Sequence, residues 1–290
     1  MARLSGPAPW PRGTVLQPRR CTIPVIAKSI EGKCRVLLTI DIGNTQTTMG
    51  LFQGEDMVAR WAVTTQKQDT VDEAHAMLAS QVLLGGRSLD CIEDVAMASV
   101  VPSLTNVWAG VAQRITGKEP VVVGPGVKTQ LPMRYGNPAE VGADRVADAV
   151  AALELYGAPA VVVDLGTATN IEVLGKDGSF LGGIIAPGLM TGADALFSHA
   201  ARLSQVDLAV PDHVIGTSTA DALRSGLILG EVERIDGLVR RIFDELGCTA
   251  PVIATGGLAS AIAGASSTIK ACEPNLTLLG LRMIYEKNRG

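Results

Sequence analysis

The sequence predicts an α/β protein built from two similar halves with a cleft between them. The first observation behind this prediction is a pattern that occurs twice: an apolar strand ending on Asp, one apolar residue, a Gly, a Thr-rich turn and a second strand. The second is that each copy precedes a third strand and then alternating helices and strands. Such internal repetition indicates two like-folded units, and 290 residues are enough for two domains of ordinary size.

The first copy of the pattern covers residues 37–52, and its apolar strand ends on Asp41. A carboxylate at the end of a buried strand is costly to desolvate unless something pairs with it, and Gly43 lets a ligand approach the backbone. The turn then carries amide and hydroxyl groups, on Asn44, Thr45, Thr47 and Thr48. Such donors beside a carboxylate suit a phosphate chain that carries Mg²⁺. From the residues alone, an ordinary hairpin with an Asx-type turn is the alternative.

The second copy covers residues 160–173 and aligns Asp164 with Asp41. The two turns are therefore expected to face each other across the cleft. A third block has a strand at residues 252–255 followed by Gly256 and Gly257, whose backbone can lie flat against a purine or ribose. An ordinary strand-to-helix turn is the alternative for this block.

Hydrophobic periodicity and caps predict the remaining elements. The first half should contain a strand at residues 58–64, a helix from the capping box at Thr70 to about Leu84, a strand at 95–101, a helix at 104–116 and a short strand at 121–123. The second half should contain three strands between residues 161 and 185, helices between 195 and 246, a strand at 252 and helices from 258 and 276. This is the order of a duplicated ribonuclease-H-like domain.

The three blocks, in this order, resemble the phosphate-1, phosphate-2 and adenosine motifs of the acetate kinase, sugar kinase, Hsp70 and actin superfamily. The resemblance implies an actin-like ATPase fold, with a first domain at residues 36–142 and a second at 143–290. Residues 1–35, with five prolines and no periodicity, are expected to be a disordered extension or the result of a start assigned upstream. A nucleic-acid-binding arm is the alternative for this extension.

Composition and charge limit the class of protein. Apolar residues make up 47% of the chain and charged residues 19%, as in a folded globular protein. The first 36 residues hold seven Lys/Arg against one Glu, and the rest hold 18 Lys/Arg against 28 Asp/Glu, so an acidic body argues against non-specific nucleic-acid binding. Five scattered cysteines without a Cys-x-x-Cys pair fit reduced thiols in the cytoplasm. No apolar run reaches the ~20 residues of a membrane span.

The most distinctive segment between the two turns is Gly142-Ala143-Asp144-Arg145, at the start of an apolar-faced helix. From the residues alone, Asp144 is an N-terminal cap or a partner of the helix dipole. Arg145 would likewise pair with Asp148 at i, i+3. Catalytic roles are the alternative reading of both residues.

With this block between the two turns, the chain resembles type III pantothenate kinases over nearly all of residues 36–288. The resemblance implies transfer of phosphate from ATP to pantothenate, giving 4′-phosphopantothenate in the first step of coenzyme A biosynthesis. It also implies Mg²⁺ with ATP, a monovalent cation (K⁺ or NH₄⁺), and a homodimer with pantothenate at the subunit interface. No Gly-x-x-x-x-Gly-Lys-[Ser/Thr] motif occurs, which argues against a P-loop kinase.

The resemblance also assigns site residues. Asp144 would be the catalytic base, and Asp164 would hold the monovalent cation, with Asp41 near Mg²⁺ through water. ATP would be bound by Asp41, Ile42, Gly43, Asn44, Thr45, Gln46, Thr47, Thr48, Thr167, Gly256 and Gly257. Pantothenate would be bound by Tyr135, Gly142, Ala143, Asp144, Arg145 and Thr219.

The chain departs from the family pattern at Leu165, Asn170, Glu172 and Thr217-Ser218. We expect Asn170 and Glu172, which are close in sequence to the cation and phosphate residues, to retune cation preference or ATP affinity. Two rival functions are a nucleotide-binding regulator of the same fold without kinase activity, and a kinase for another small hydroxyl compound or acid. An intact Asp144-Arg145 pair disfavours the first, because a switch needs no acceptor base.

Overall fold

A computed structural model describes residues 35–199 and 206–289, and these residues form two five-stranded sheets. The predicted extension at residues 1–35 lies outside the described residues except for Arg35. The first sheet consists of β1 (Val36–Ile42), β2 (Gln46–Gln53), β3 (Asp56–Thr64), β4 (Ile92–Ser99) and β5 (Val121–Val122). The helices that follow its strands are α1 (Val71–Leu84), α2 (Pro102–Thr116) and α3 (Ala143–Tyr156).

The second sheet has the same construction. Its strands are β6 (Ala160–Leu165), β7 (Ala168–Leu174), β8 (Phe180–Pro187), β9 (Val252–Thr255) and β10 (Ala271–Cys272). Its helices are α4 (Leu189–His199), α5 (Thr219–Arg224), α6 (Gly230–Leu246), α7 (Ala259–Ala263) and α8 (Leu276–Arg289). A π-helical turn, Ser225–Leu229, joins α5 to α6.

The strand orders of the two sheets match, β3-β2-β1-β4-β5 in the first and β8-β7-β6-β9-β10 in the second. In each sheet the first three strands are antiparallel, and the last two run parallel to the first. The predicted duplicated ribonuclease-H-like architecture is therefore confirmed. The boundary between residues 142 and 143 stays a prediction, because α3 packs against β4 of the first sheet and β6 and β7 of the second.

Three apolar layers hold the two sheets. The central layer lies between the sheets and is filled by α3 and α8, which pack against each other. Helix α3 contacts both sheets, and α8 packs on the first. The outer layers are formed by α1 and α2 on the first sheet and by α6 and α7 on the second. Each sheet is thus covered on both faces, which explains why the inner strands β1, β6 and β9 consist mostly of Val, Ile, Leu and Ala.

Strand alternation decides where the two repeated aspartates point. Leu38, Ile40 and Ile42 of β1 pack in the outer layer, so Asp41 faces the central layer. In β6, Val163 and Leu165 pack in the outer layer, and Asp164 between them also faces the centre. Both carboxylates are therefore directed toward the space in which α3 begins.

Several boundaries differ from the predicted ones. The helix expected from residue 104 begins at Pro102, since proline suits a first helical turn whose N–H groups are unbonded in any case. The strand expected at residues 95–101 is Ile92–Ser99, and α4 already begins at Leu189 rather than near residue 195. β10 has two residues, too few to leave a periodic pattern. In the described part of the chain, no helix combines the length and apolar character needed to cross a membrane.

Candidate active site

The two repeated turns meet at the mouth of the cleft. Each is closed by a backbone hydrogen bond from its glycine: Gly43 N donates to the Gln46 carbonyl at 3.0 Å, and Gly166 N to the Ala168 carbonyl at 3.0 Å. At the tips, the hydroxyl oxygens of Thr45 and Thr167 are 2.8 Å apart and hydrogen-bonded. The turns therefore face each other, as the sequence repeat predicted.

The side chains of the first turn are not equally available to a ligand. Asn44, Thr45 and Gln46 are exposed at the tip. Ile42 is buried in the outer layer, and the Thr47 hydroxyl is buried against the hydroxyl of Thr65 at 2.9 Å. Ile42 and Thr47, both predicted ATP contacts, thus keep their side chains inside the fold and their main chain in the sheet.

Gly256, in the predicted adenosine block, lies against Asp164 and Leu165 at the end of β6. A Cβ at this position would lie 2.5 Å from Asp164 Oδ1 and 2.7 Å from the Leu165 carbonyl oxygen, and its φ is +89°. Only glycine fits such an approach without strain. Gly257 is exposed, and a Cβ there would meet nothing within 4 Å. Asp164 is therefore packed directly beneath an open glycine surface.

The Gly142–Arg145 block forms the N-terminal end of α3. The Asp144 carboxylate accepts a hydrogen bond from the Arg145 backbone N–H at 2.8 Å, and a Cβ on Gly142 would lie 2.4 Å from Asp144 Oδ1. Gly142 therefore leaves the space in which this carboxylate sits. Asp144 also benefits from the positive end of the helix dipole.

The carboxylates of Asp41, Asp144 and Asp164 affect one another. Burial raises the pKa of Asp41 well above its usual value, and repulsion from Asp144 and Asp164 raises it further. Burial, followed by repulsion from Asp144, raises the pKa of Asp164 to about 7. Burial also raises the pKa of Asp144, although the Arg145 backbone N–H and the Arg145 charge lower it. Such mutually repelling, half-buried carboxylates are typical of sites that receive cations or act as bases.

Arg145 pairs with a residue of the second sheet, not with its own helix. Its Nε donates to Glu172 Oε1 at 2.8 Å, and both side chains are buried. Asp148 instead accepts a hydrogen bond from the Thr277 hydroxyl of α8 at 2.7 Å. The i, i+3 pair of Arg145 with Asp148 is therefore wrong, because the two side chains leave α3 toward different neighbours. Burial and the charges of Asp164 and Glu172 raise the pKa of Asp148 well above its usual value.

Tyr135 joins the Arg145 end of the site through an aromatic neighbour. Its ring is 6.0 Å from the ring of Phe180, and the Arg145 guanidinium carbon lies 5.7 Å from that ring's centroid. Thr219 is the exposed first residue of α5. Among the described residues, no hydrogen bond or ion pair connects Thr219 with α3.

The acidic residues suit the expected cations only with help from other ligands. In residues 35–199 and 206–289, no group of three His, Cys, Asp or Glu side chains is arranged to hold a metal ion by itself. Mg²⁺ usually keeps several waters and binds through one or two carboxylates together with substrate phosphates. Repelling, partly exposed carboxylates at Asp41 and Asp164 fit that kind of site.

The sequence analysis missed one contributor and did not foresee the partner of another. Lys67, in the loop after β3, donates from Nζ to Asn44 Oδ1 at 3.2 Å and places a positive charge beside the first turn. Glu172 was expected near the cation and phosphate residues, but its bonded neighbour is Arg145. Strand alternation predicts that Glu172 of β7 faces the central layer, but it does not predict that Arg145 is its partner.

Comparison with known proteins places this geometry in a family. A family model described as type III pantothenate kinase matches residues 37–241, more than half of the chain. The chain belongs to the type III pantothenate kinase family. Relatives that carry this family name include one from Moorella thermoacetica, 44% identical over 87% of this chain and 100% of that protein. Another, from Streptomyces griseus, is 46% identical over 87% of this chain and 98% of that protein.

Solved structures similar to this family member support the fold alone. A protein of Campylobacter jejuni described as a Baf family transcriptional activator has a TM-score of 0.55 and 20% identity, covering 87% of this chain and 98% of that one. Component A of the Acidaminococcus fermentans (R)-2-hydroxyglutaryl-CoA dehydratase has a TM-score of 0.52 and 15% identity, with the same coverage. At these identities the likeness extends to the architecture and not to the activity.

Proposed function

We propose that this protein transfers the terminal phosphoryl group of ATP to the primary hydroxyl of pantothenate, giving 4′-phosphopantothenate in the first step of coenzyme A biosynthesis. One observation carries the proposal: in a type III pantothenate kinase family member, two aspartate turns meet beside the Asp144 carboxylate at the start of α3. This arrangement offers a phosphate site and an acceptor base in one cleft.

ATP would be held mainly by positioned donors. Phosphoryl transfer depends on alignment and charge neutralisation more than on covalent chemistry by the protein. The exposed tip of the first turn and Thr167 of the second supply hydrogen-bond donors for the phosphates, and Ile42, Gly43, Thr47 and Thr48 would position that tip. The open surface at Gly256 and Gly257 suits the adenosine, and Lys67 adds a positive charge near the phosphates.

The acceptor would bind at the start of α3. Asp144 takes the proton of the primary hydroxyl as the bond to phosphorus forms, and its raised pKa makes it a stronger base. Arg145 forks onto the pantothenate carboxylate, with Gly142 and Ala143 supplying backbone groups and Tyr135 lining the pocket. Because Asp144 and Arg145 are consecutive residues, the hydroxyl and the carboxylate of the acceptor would both bind at the N-terminal end of α3.

Two cations belong to this proposal. Mg²⁺ bound to ATP neutralises phosphate charge, and Asp41 would hold it through water. Asp164 would hold K⁺ or NH₄⁺. The repulsion among Asp41, Asp144 and Asp164 supports both assignments, because positive charge bound between these carboxylates relieves it.

A homodimer with pantothenate at the subunit interface completes the proposal. Several of the exposed large apolar side chains lie on the surface of the segment from residue 185 to residue 215, namely Ile185 of β8, Met190 and Leu196 of α4, and Val210, Val214 and Ile215. Such a surface favours association. Thr219, which is exposed in one chain, would then line the pocket with help from the partner. We further propose a cytoplasmic location and no nucleic-acid partner, in line with the acidic body of the chain.

A coupled assay of ADP release tests the function. We expect turnover that needs pantothenate, Mg²⁺ and a monovalent cation, and we expect Asp144→Asn to lower kcat by about 10²- to 10⁴-fold while ATP binding is retained. ATP hydrolysis that is independent of pantothenate and unaffected by Asp144→Asn would instead support the nucleotide-binding regulator.

A further inference from the structure

The buried ion pair between α3 and β7 has a geometry that bears on acceptor choice. Glu172 has no exposed surface and Arg145 is 7% exposed. Their bond runs from the side of the guanidinium, Nε to Oε1 at 2.8 Å, and the Phe180 ring lies next to the guanidinium at 5.7 Å. A carboxylate and an aromatic ring therefore restrict the orientation of the arginine.

This side-on contact leaves the end of the guanidinium available. No described residue bonds to Nη1 or Nη2 of Arg145, and neither atom is among the buried polar atoms that lack a partner. The two terminal amino groups therefore keep access to solvent. They are the groups that receive a carboxylate in a bidentate pair.

The Arg145–Glu172 pair is also a weak contact if its only role is to stabilise the fold. Glu172 Oε2 is buried and has no hydrogen-bond partner among the described residues. A buried acceptor without a partner costs free energy, and buried ion pairs are weak contributors to stability even when fully bonded. A contact that sacrifices one carboxylate oxygen and keeps two arginine groups accessible is better explained by positioning.

We propose that Glu172 is a positioning residue that aims Arg145 at the carboxylate of the acceptor and so sets the preference for acceptors that carry a carboxylate. The inference rests on the proposed kinase function. An arginine side chain that is already ordered loses less conformational entropy when the acceptor binds. Without Glu172, Arg145 keeps its charge, but its side chain is no longer held in the orientation that receives the carboxylate.

Two acceptors and two substitutions test this role. The acceptors are pantothenate and its analogue with a primary alcohol in place of the carboxylate. We expect Glu172→Leu to lower kcat/KM for pantothenate at least tenfold, mostly through KM. The same variant should change kcat/KM for the alcohol analogue, and KM for ATP, less than threefold. Glu172→Gln keeps an acceptor oxygen for Nε and should restore most of the preference for pantothenate.

Calorimetric binding of pantothenate separates this inference from the proposed function. If the wild-type protein neither binds nor phosphorylates pantothenate, both proposals are overturned. If it does, but the Glu172 variants lose activity equally toward both acceptors, the positioning role alone is overturned. Should Glu172→Leu fail to fold, the double variant Arg145→Ala/Glu172→Leu, which buries no unpaired charge, is compared with Arg145→Ala. We expect the same pantothenate KM in both, and a higher KM in the double variant would contradict the inference.

Discussion

At the scale of single residues, Gly142 shows how one missing side chain makes room for a base. The position of a Cβ on this residue is 2.4 Å from Asp144 Oδ1, so any side chain must displace the carboxylate. The displaced group is the end of a flexible side chain, and the fold therefore bears little of the cost. A substitution of Gly142 should therefore lower the catalytic rate while changing the free energy of unfolding little.

We predict that Gly142→Ala lowers kcat by at least tenfold, since a shift of about 1 Å in a reacting group costs up to 10²-fold. The free energy of unfolding should change by less than about 1 kcal/mol. Gly136→Ala is the matched control: its Cβ would meet nothing within 4 Å, and both quantities should stay at wild-type values. Wild-type kcat in Gly142→Ala would refute the placement of the Asp144 carboxylate.

At the scale of elements, Asp236 of α6 anchors the loop between α7 and β10. Its carboxylate accepts hydrogen bonds from the Ser266 hydroxyl at 2.5 Å, the Ser267 backbone N–H at 2.7 Å and the Thr268 hydroxyl at 2.6 Å. Burial alone would raise the pKa of Asp236, but these donors outweigh it and lower the pKa to about 2. These hydrogen bonds thus stabilise the ionised form of the carboxylate. They also hold in place a loop 30 residues further along the chain.

We predict that Asp236→Asn lowers the free energy of unfolding by about 1.5–3 kcal/mol, the usual range for hydrogen bonds to a charged group. Asp244→Asn, an exposed position on the same helix, should change it by less than about 0.5 kcal/mol. Urea unfolding at pH 7 compares the two. Because the pKa is lowered on folding, the stabilisation by Asp236 should disappear as the pH falls from about 4 toward 2. Equal losses in both variants would contradict the anchoring role.

At the scale of the whole molecule, the central carboxylates make stability depend on cations and pH. Burial raises the pKa of Asp164 to about 7, and it also raises the pKa values of Asp41 and Asp148 well above their usual range. The folded protein therefore keeps protons that the unfolded chain releases near pH 4. Unfolding releases protons between these values, so raising the pH favours unfolding.

We predict that, in chelator and without potassium, Tm at pH 8.5 is lower than Tm at pH 6 by more than about 3 °C. Magnesium, ATP and potassium should raise Tm more at pH 8.5, because bound positive charge relieves the repulsion. Asp164→Asn, which cannot ionise, should reduce the pH difference measured without cations. A Tm that rises with pH in the absence of cations would contradict this account.

The sequence by itself determined the duplicated fold, the facing turns and the block that starts α3. These features are local: Asp41 and Asp164 close apolar strands, and a capping box at Thr70 begins α1 as predicted. Repetition within the chain then supplied the relation between the halves. Periodicity and turn chemistry are properties of neighbouring residues and can be read without a structure.

Only the tertiary structure decided which distant side chains become partners. Glu172 is 27 residues from Arg145, and sheet register together with the position of α3 brings them into contact. Asp148, close to Arg145 in sequence, turns to Thr277 instead, 129 residues away. A buried polar group bonds to whatever the packing of separate elements brings within reach, and that packing leaves no trace in local sequence pattern.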